Sequence, residues 1–405
     1  MRRLISLAIL HAVALPAAAQ QLAARLTSVQ NGDATFSFPA RPDVCGDGHI
    51  LLPRWLDHDS QQVVFFDRGW SIGSVDMRGQ RCSHGPVRVQ LSLQGCSIRQ
   101  LQPAVGATGH GRGRDLGVVG TREAVDFLLD LAARASEDVS RQALLGAALA
   151  DSVTISMRLM TMADDHRLPA VNRGAALQWL GWTAAREGNT SADAHVRAIA
   201  ADESDDPDVR ERAIDVVALP AGEPFLEDLY ARLTLRSLKE RVLRTLGERP
   251  SPTGNDWIER LARNPREPFA LRERAIRALG EDQHETSRLR SLYADLRDSD
   301  LKDRVLRVAG ESGDADALAW LKALALNRAE SVAARDRALR ALDEADVPTA
   351  SLVSLYDTID DPDLKLRLIK LLGERDDRAA RAKLVDIVRH DSNPDLRRVA
   401  QHARQ

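Results

Sequence analysis

The sequence predicts a mainly α fold, an α-solenoid of about nine helix pairs preceded by a small β-rich module. Two observations support this prediction. From Thr121 onward, apolar residues recur at the three- and four-residue spacing of amphipathic helices, and the pattern returns every 30 or 33 residues. Before that point, short alternating runs are bounded by glycine and polar residues, as is typical of strands and turns. A chain of 405 residues is long enough for such a solenoid and one small module.

Residues 1–19 predict a secretory signal peptide. Arg2 and Arg3 form a positive start, residues 4–15 form a short apolar stretch, and Ala17 and Ala19 supply the small side chains that precede a cleavage site. The apolar stretch is too short to anchor the chain across a bilayer. We therefore expect an exported mature chain that begins at Gln20, in a bacterial periplasm or fully secreted. The formal net charge of the full sequence, −3, creates no strong overall attraction for nucleic acid.

The next segment, residues 20–105, is predicted to form the β-rich module. Residues 35–38 and 87–93 alternate between apolar and polar side chains, and residues 63–66 form a short β-favouring run. Gln94 and Gly95 fit a tight turn that leads into a returning strand over residues 96–102. A small antiparallel sheet or sandwich is the fold expected here.

All three cysteines of the chain lie in this module, and an oxidising compartment favours a disulfide between two of them. Cys82 and Cys96 flank opposite ends of the predicted strand 87–93, which would separate them by about 20 Å. A disulfide joins Cα atoms roughly 4.4–6.8 Å apart, so that pair is disfavoured. Cys45 with Cys82 is the predicted pair, and Cys45 with Cys96 remains open.

The same residues allow a second interpretation, a metal site. Cys45, His49, Cys82 and His84 would supply two sulfurs and two imidazoles, a ligand set that zinc accepts. Their spacing matches no familiar zinc motif, and exported thiols tend to oxidise. These four residues are therefore weak metal candidates, and we expect no cofactor.

A glycine- and arginine-rich stretch, residues 106–120, follows the module. It reads Gly-Ala-Thr-Gly-His-Gly-Arg-Gly-Arg from Gly106. The glycine spacing differs from that of phosphate-binding loops, and no Lys-Ser/Thr follows it. A flexible linker is the expected structure.

Residues 121–405 contain a repeated helix string. It reads Leu-Arg-Glu-Arg-Ala-Ile-Arg-Ala-Leu-Gly from Leu271, and close copies begin at Leu238, Leu301, Ala334 and Leu364. The spacing alternates between 33 and 30 residues, which gives a superperiod of 63. Other residue types obey this superperiod independently: Tyr230, Tyr293 and Tyr356; Lys239, Lys302 and Lys365; Trp257 and Trp320. We expect the aromatic residues to pack between repeats.

The string resembles the HEAT and PBS-lyase HEAT-like repeat family over residues 121–405. The resemblance implies a superhelix of stacked helix pairs, with one layer of helices on a convex side and the other on a concave side. Each pair needs its neighbours to bury its apolar stripe. The glycine at the end of each string is expected to end the second helix in a left-handed conformation. Asp343 replaces this glycine in the fourth string.

Aspartates in the turns and arginines in the second helices form a further regular set. HEAT-like repeats suggest a structural ladder, in which such residues tie successive repeats together and cap helices. A charged stripe for a partner is the alternative. The predicted ladder residues are Asp206, Arg212, Asp298, Arg304, Asp361 and Arg367.

No catalytic constellation is recognisable in the sequence: it contains no Gly-x-Ser-x-Gly, no His-x-x-x-His and no Walker-type loop. The expected function is that of an exported, non-enzymatic HEAT-repeat scaffold for protein–protein interaction, which holds a protein or peptide on its concave face. The alternative is an envelope sensor whose N-terminal module binds a ligand or metal.

Overall fold

The computed structural model describes residues 17–42, 44–46, 51–52, 62–66, 72–76, 84–95, 97–106, 113–217, 221–281 and 286–404. The chain divides into two compact units, unit one (Met1–Ala218) and unit two (Leu219–Gln405). Within the described residues a β-rich region precedes nine helix pairs, so the predicted fold class is confirmed. In each pair we call the two members the first and the second helix.

The β-rich region begins with a helix that the sequence analysis did not predict. Leu22 and Leu26 of this helix are buried, four residues apart on one face. The alternating runs do form strands, and Gly95 turns with φ +56° between two of them. The elements are α1 (Ala17–Thr27), β1 (Gly32–Phe38), β2 (Cys45–Gly46), β3 (Leu51–Leu52), β4 (Gln62–Phe66), β5 (Ile72–Asp76), β6 (Val87–Gln94), β7 (Ser97–Val105) and β8 (Arg114–Val118).

Four of these strands form one mixed sheet in the order β7-β6-β1-β8. The β7, β6 and β1 strands are antiparallel neighbours, and β8 runs parallel to β1. The buried side chains of β1 include Phe36, whose ring meets the ring of Phe127 edge-to-face at 6.0 Å. Because Phe127 belongs to the first predicted solenoid helix, the sheet and the first helices share one core.

The segment predicted to be a linker, residues 106–120, contains the strand β8. Gly113 lies at φ +84° against the backbone of Asp33, where a Cβ atom would come 1.9 Å from the carbonyl oxygen. Only glycine allows this approach, which brings β8 alongside β1. Arg114 also donates to the Ser28 hydroxyl at 2.8 Å. Gly113 thus serves close packing, and a five-residue strand is too short to show a clear period.

Three helix pairs complete unit one. They are α2 (Thr121–Arg134) with α3 (Glu137–Ala148), α4 (Ser156–Asp164) with α5 (Ala170–Glu187), and α6 (Ala192–Ala201) with α7 (Pro207–Val216). Among the described residues, no helix of either unit has both the length and the apolar character needed to cross a membrane.

Unit two consists of three copies of a four-helix element, and nearly every boundary shifts by 63 residues from one copy to the next. The first copy contains α8 (Glu223–Arg232), α9 (Arg236–Glu248), α10 (Pro252–Arg263) and α11 (Phe269–Gly280). The second contains α12 (Thr286–Asp295), α13 (Ser299–Glu311), α14 (Ala315–Leu326) and α15 (Val332–Glu344). The third contains α16 (Thr349–Thr358), α17 (Pro362–Glu374), α18 (Arg378–His390) and α19 (Pro394–Ala403). The superperiod seen in the sequence is thus a structural unit.

The string glycines do not adopt the left-handed conformation that was predicted to end the helix: Gly280 is the last residue of α11 but, like the others, has no positive φ. Gly247 and Gly310 lie inside α9 and α13, and neither has a positive φ. A Cβ atom on Gly310 would lie 2.5 Å from the carbonyl oxygen of Ala341, and one on Gly247 would lie 2.8 Å from the Cβ of Ala278. Glycine is therefore used where the next second helix packs directly on the backbone.

Candidate functional site

The cysteine and histidine candidates lie only partly in the described residues. Cys45 is buried, and the Nδ1 atom of His84 lies 3.2 Å from the carbonyl oxygen of Val44. His49, Cys82 and Cys96 fall outside the described residues. Within the part of the chain that is described, no three histidine, cysteine or acidic side chains converge as metal ligands do. The disulfide pairing and the zinc interpretation stay predictions.

The three ladder aspartates lie at the N-termini of second helices. Asp206, Asp298 and Asp361 are the N-cap residues of α7, α13 and α17, and each carboxylate accepts a backbone N–H from two residues on, at 2.9–3.0 Å. An N-cap of this kind satisfies donors that have no partner within the helix and contributes about 1 kcal/mol.

The ladder arginines contact acidic residues in other places. Arg304 pairs with Glu273 on the preceding second helix, and Arg367 pairs with Asp336 at 2.7 Å in the same way. Arg212 pairs within its own helix, with Asp215 at 3.2 Å. In both inter-repeat contacts the arginine at the fourth position of the string reaches the acidic residue at the third position of the string one repeat earlier. The second-helix layer of unit two is thus lined by paired charges.

The 63-residue period arises from two kinds of contact that alternate. In the helix pairs that contain tyrosine, the lysine of the second helix lies over the tyrosine ring, with Lys239 4.6 Å from Tyr230 and Lys302 4.6 Å from Tyr293. In the intervening pairs an arginine takes the lysine position and donates to the end of the first helix. Arg272 reaches the carbonyl oxygen of Ala262 at 2.9 Å.

The tyrosines are buried, as the sequence predicted. The Trp257 ring meets Tyr230 edge-to-face at 5.1 Å, and the Tyr230 hydroxyl donates to Glu267 at 3.1 Å. Burial, reinforced by the nearby Glu330 carboxylate, raises the pKa of Tyr293 to about 12. These clusters join successive pairs and leave no tyrosine surface for a ligand.

The third copy departs from this pattern at one position. Lys383 stands where the earlier copies have tryptophan, and its ammonium lies 5.4 Å from the Tyr356 ring. It also pairs with Asp357 at 2.6 Å and Asp386 at 2.9 Å. The third copy thus replaces an aromatic contact by a mostly buried lysine that pairs with two exposed carboxylates.

An open cleft of about 610 Å³ lies between α8 and α10, two first helices of the first copy. It is the candidate functional site. Its lining contains three carboxylates and one guanidinium, together with small or apolar side chains: Ala221, Glu223, Pro224, Glu227, Thr253, Asp256 and Arg260.

The charges of the cleft are only partly compensated. Glu223 is buried and accepts from the Thr253 hydroxyl at 2.5 Å. Burial raises the pKa of Glu227; the like charge of Glu223 acts in the same direction, while Arg260 opposes it. Asp256 pairs with Arg288 of the next first helix. A site of this composition suits a guanidinium or ammonium group, which can satisfy carboxylates that stand close together.

Sequence reasoning missed this cleft, although the superperiod contains a signal for it. At the positions of Glu223, Glu227, Asp256 and Arg260, the second copy has Thr286, Arg290, Ala319 and Ala323, and the third has Thr349, Val353, Ala382 and Asp386. The cleft is thus built from residues that the copies do not share. Comparing the copies position by position would have singled them out.

Comparisons with known proteins place the chain in no family: no family model matches it, and no curated protein does either. Among solved structures it is similar to human deoxyhypusine hydroxylase in complex with glycerol, at 16% identity and a TM-score of 0.28, covering 54% of this chain and 86% of that one. It is also similar to lipovitellin, at 12% identity and a TM-score of 0.43, covering 84% of this chain and 41% of that one. It is similar to importin beta at 11% identity and a TM-score of 0.33, covering 70% of this chain and 47% of that one. Because these TM-scores are below 0.5, the solenoid description depends on the pairing of the chain's own helices.

Proposed function

We propose that the protein is an exported, non-enzymatic HEAT-like scaffold that binds a polypeptide partner through the cleft between α8 and α10. The observation that supports this proposal is the departure of the cleft from the repeat. Interior residues such as Tyr230 and Tyr293 are kept between copies because packing requires them, whereas Glu227 and Asp256 have no counterpart in the other copies. Functional sites on repeat proteins lie on surfaces that repeats present but need not share.

The charge of the cleft selects the class of partner. Arg260, and Arg288 through its pair with Asp256, leave one of the three carboxylates without a compensating charge. The ionised form of Glu227 is already destabilised by burial and by the carboxylate of Glu223. A basic side chain that enters the cleft relieves this cost by pairing with Glu227. We therefore propose that the occupant is an arginine or lysine within an extended segment of a partner protein.

The second-helix layer is a less suitable docking surface. Its charges are already engaged between repeats, as in the Arg367–Asp336 and Arg304–Glu273 pairs. A partner that bound there would have to compete with these pairs. The first-helix layer is therefore the preferred docking surface. The concave face, which the family resemblance suggested, stays a prediction.

The test selects peptides from a displayed random library on the full mature chain and compares two charge-reversal variants. Glu227→Arg introduces the residue that the second copy has at this position, and Arg290→Glu makes the converse change one copy later. Because each variant uses a residue that the repeat already accommodates there, both are expected to fold.

The expected result is enrichment of peptides with arginine or lysine, whose affinity falls about tenfold or more in Glu227→Arg, as for loss of a close charge pair, and is unchanged in Arg290→Glu. Selected peptides without a basic residue, or an equal loss in both variants, would contradict the proposed cleft. Export and the Cys45–Cys82 disulfide belong to the same proposal, and they are checked by N-terminal sequencing and thiol counting on the native protein. A mature chain that does not begin at Gln20, or that has three free thiols, would contradict that part.

A further inference from the structure

Helix α4 of unit one has an unusual concentration of methionine. The chain contains five methionines, and Met157, Met160 and Met162 lie within six consecutive residues of α4. Met162 is buried, whereas Met157 is 65% exposed. Met157 and Met160 are three residues apart, so they share one face of the helix. Packing explains Met162 and does not explain Met157.

A single side chain joins the two methionines of this face. The Nδ2 atom of Asn189, in the loop after α5, lies 3.5 Å from the sulfur of Met160 and 4.0 Å from the sulfur of Met157. The same amide group accepts from the Ser191 backbone N–H at 3.1 Å and from its hydroxyl at 2.7 Å, through Oδ1. These bonds fix which end of the amide faces the sulfurs. The same nitrogen donates to the Ser156 hydroxyl at 3.0 Å, and both sulfurs lie within 4.0 Å of it.

The donor chemistry of the pair identifies a class of ligand. Thioether sulfur is a soft ligand that prefers Cu(I) to the harder divalent cations. A thioether has two lone pairs, so a sulfur that accepts a weak hydrogen bond from Asn189 keeps one for a metal ion. The methionine side chain has three rotatable bonds, which lets two neighbouring sulfurs converge on one ion. We propose that Met157 and Met160 form a binding site for a soft monovalent cation, Cu(I) or its redox-inert analogue Ag(I), with Asn189 as a positioning residue.

The site lies in unit one and is independent of the cleft in unit two. Neither the repeat string nor the 63-residue superperiod includes its residues. A failure of the proposed scaffold function would therefore leave the cation site untouched, and the reverse is also true.

The experiment uses the full chain labelled with methyl-13C methionine, with its accessible thiols alkylated. Ag(I) is then titrated in, and the methionine methyl resonances are followed by NMR. The methyl resonances of Met157 and Met160 are expected to shift together and to saturate at one equivalent, while that of Met162 stays in place. Met157→Leu is expected to weaken Ag(I) binding at Met160 by at least about tenfold, because the second ligand is lost. Asn189→Ala is expected to weaken it roughly tenfold, as is typical when an outer-shell residue is removed.

Met162→Leu in the same helix is the matched control and should leave the titration unchanged, since it changes one methionine without touching the pair. If Met160 titrates identically in wild type and in Met157→Leu, the two sulfurs act separately and no shared site exists. Absence of any methyl shift up to several equivalents of Ag(I) would also overturn the proposal.

Discussion

In the first copy of unit two, α8 presents Glu223 and Glu227, whereas α12 of the second copy presents Thr286 and Arg290 at the same two positions. The helices that carry them have identical lengths, and the tyrosine, lysine and tryptophan contacts beneath them agree to within 0.6 Å, for example 5.1 Å and 5.7 Å between the aromatic rings. The aromatic and lysine contacts of the two copies are thus nearly the same, and the copies differ at the cleft positions, including the buried pair Glu223 and Thr286.

One hydrogen bond shows how these positions can change without disturbing the aromatic contacts. In the second copy the Thr286 hydroxyl of α12 donates to Asp314, the N-cap residue of α14, at 2.8 Å. In the first copy the Thr253 hydroxyl of α10 donates to Glu223 of α8 at 2.5 Å. The hydroxyl and the carboxylate have exchanged helices, and the link between first helices is kept. Repeat packing therefore keeps a hydrogen bond between neighbouring first helices at this place, but either helix can supply the carboxylate.

The largest expected effect comes from deleting a whole copy or only half of one. Deletion of residues 286–348 removes one complete superperiod, so α11 is followed by α16, whose contacts are equivalent to those of α12. Deletion of residues 316–348 removes one helix pair and places two tyrosine-type pairs next to each other. We expect the first variant to melt cooperatively, with helical circular dichroism reduced in proportion to its length, and the second to melt at a lower temperature or to aggregate. Equal stability of the two variants would show that the superperiod has no structural meaning.

A smaller effect is expected where second helices touch. Gly310→Ala places a Cβ atom 2.5 Å from the Ala341 carbonyl oxygen, and we expect a loss of about 1–3 kcal/mol in the free energy of unfolding. Helix propensity alone would favour alanine by about 1 kcal/mol, so the two effects predict opposite signs. Urea denaturation decides between them.

The matched control is Asp343→Ala, at the corresponding position of the next repeat, where a Cβ atom is already present. It removes the ion pair with Arg375 at 2.8 Å and should cost no more than about 1 kcal/mol. A stabilised Gly310→Ala variant would show that the second helices can separate without cost.

The smallest effect concerns the cleft itself. The pKa of Glu227 is raised in the folded chain, mainly by burial, so the folded state holds a proton that the unfolded state has already released. Stability therefore falls as pH rises through the raised pKa, and Glu227→Gln should remove this loss. We expect the variant to have a slightly higher melting temperature than wild type at neutral pH and no advantage at ~pH 4, near the ordinary pKa of glutamate. Scanning calorimetry at both pH values is the measurement. A melting temperature that is unchanged or lower at neutral pH would show that Glu227 is not destabilising, and would remove one reason to regard the cleft as functional.

The period of the helices could be predicted from the sequence because every copy repeats the same packing problem. The superperiod was visible in the spacing of Tyr230, Tyr293 and Tyr356, and the structure places all three in the interior between pairs. The turn aspartates were also recognisable, since a cap depends on a local contact two residues away. The inter-repeat partners of Arg304 and Arg367 were not, because those contacts join residues about thirty positions apart.

The sequence by itself thus determined the fold class, the number of helix pairs and the identity of the buried aromatic residues. These follow from local periodicity and from the repetition of one interface. Tertiary structure alone decided the role of the string glycines, the addition of β8 to the sheet, the convergence of the cleft residues around Glu227 and the proximity of Asn189 to Met157 and Met160. Each of these depends on the distance between segments that are remote in the chain, and a local pattern of residues cannot predict such a distance.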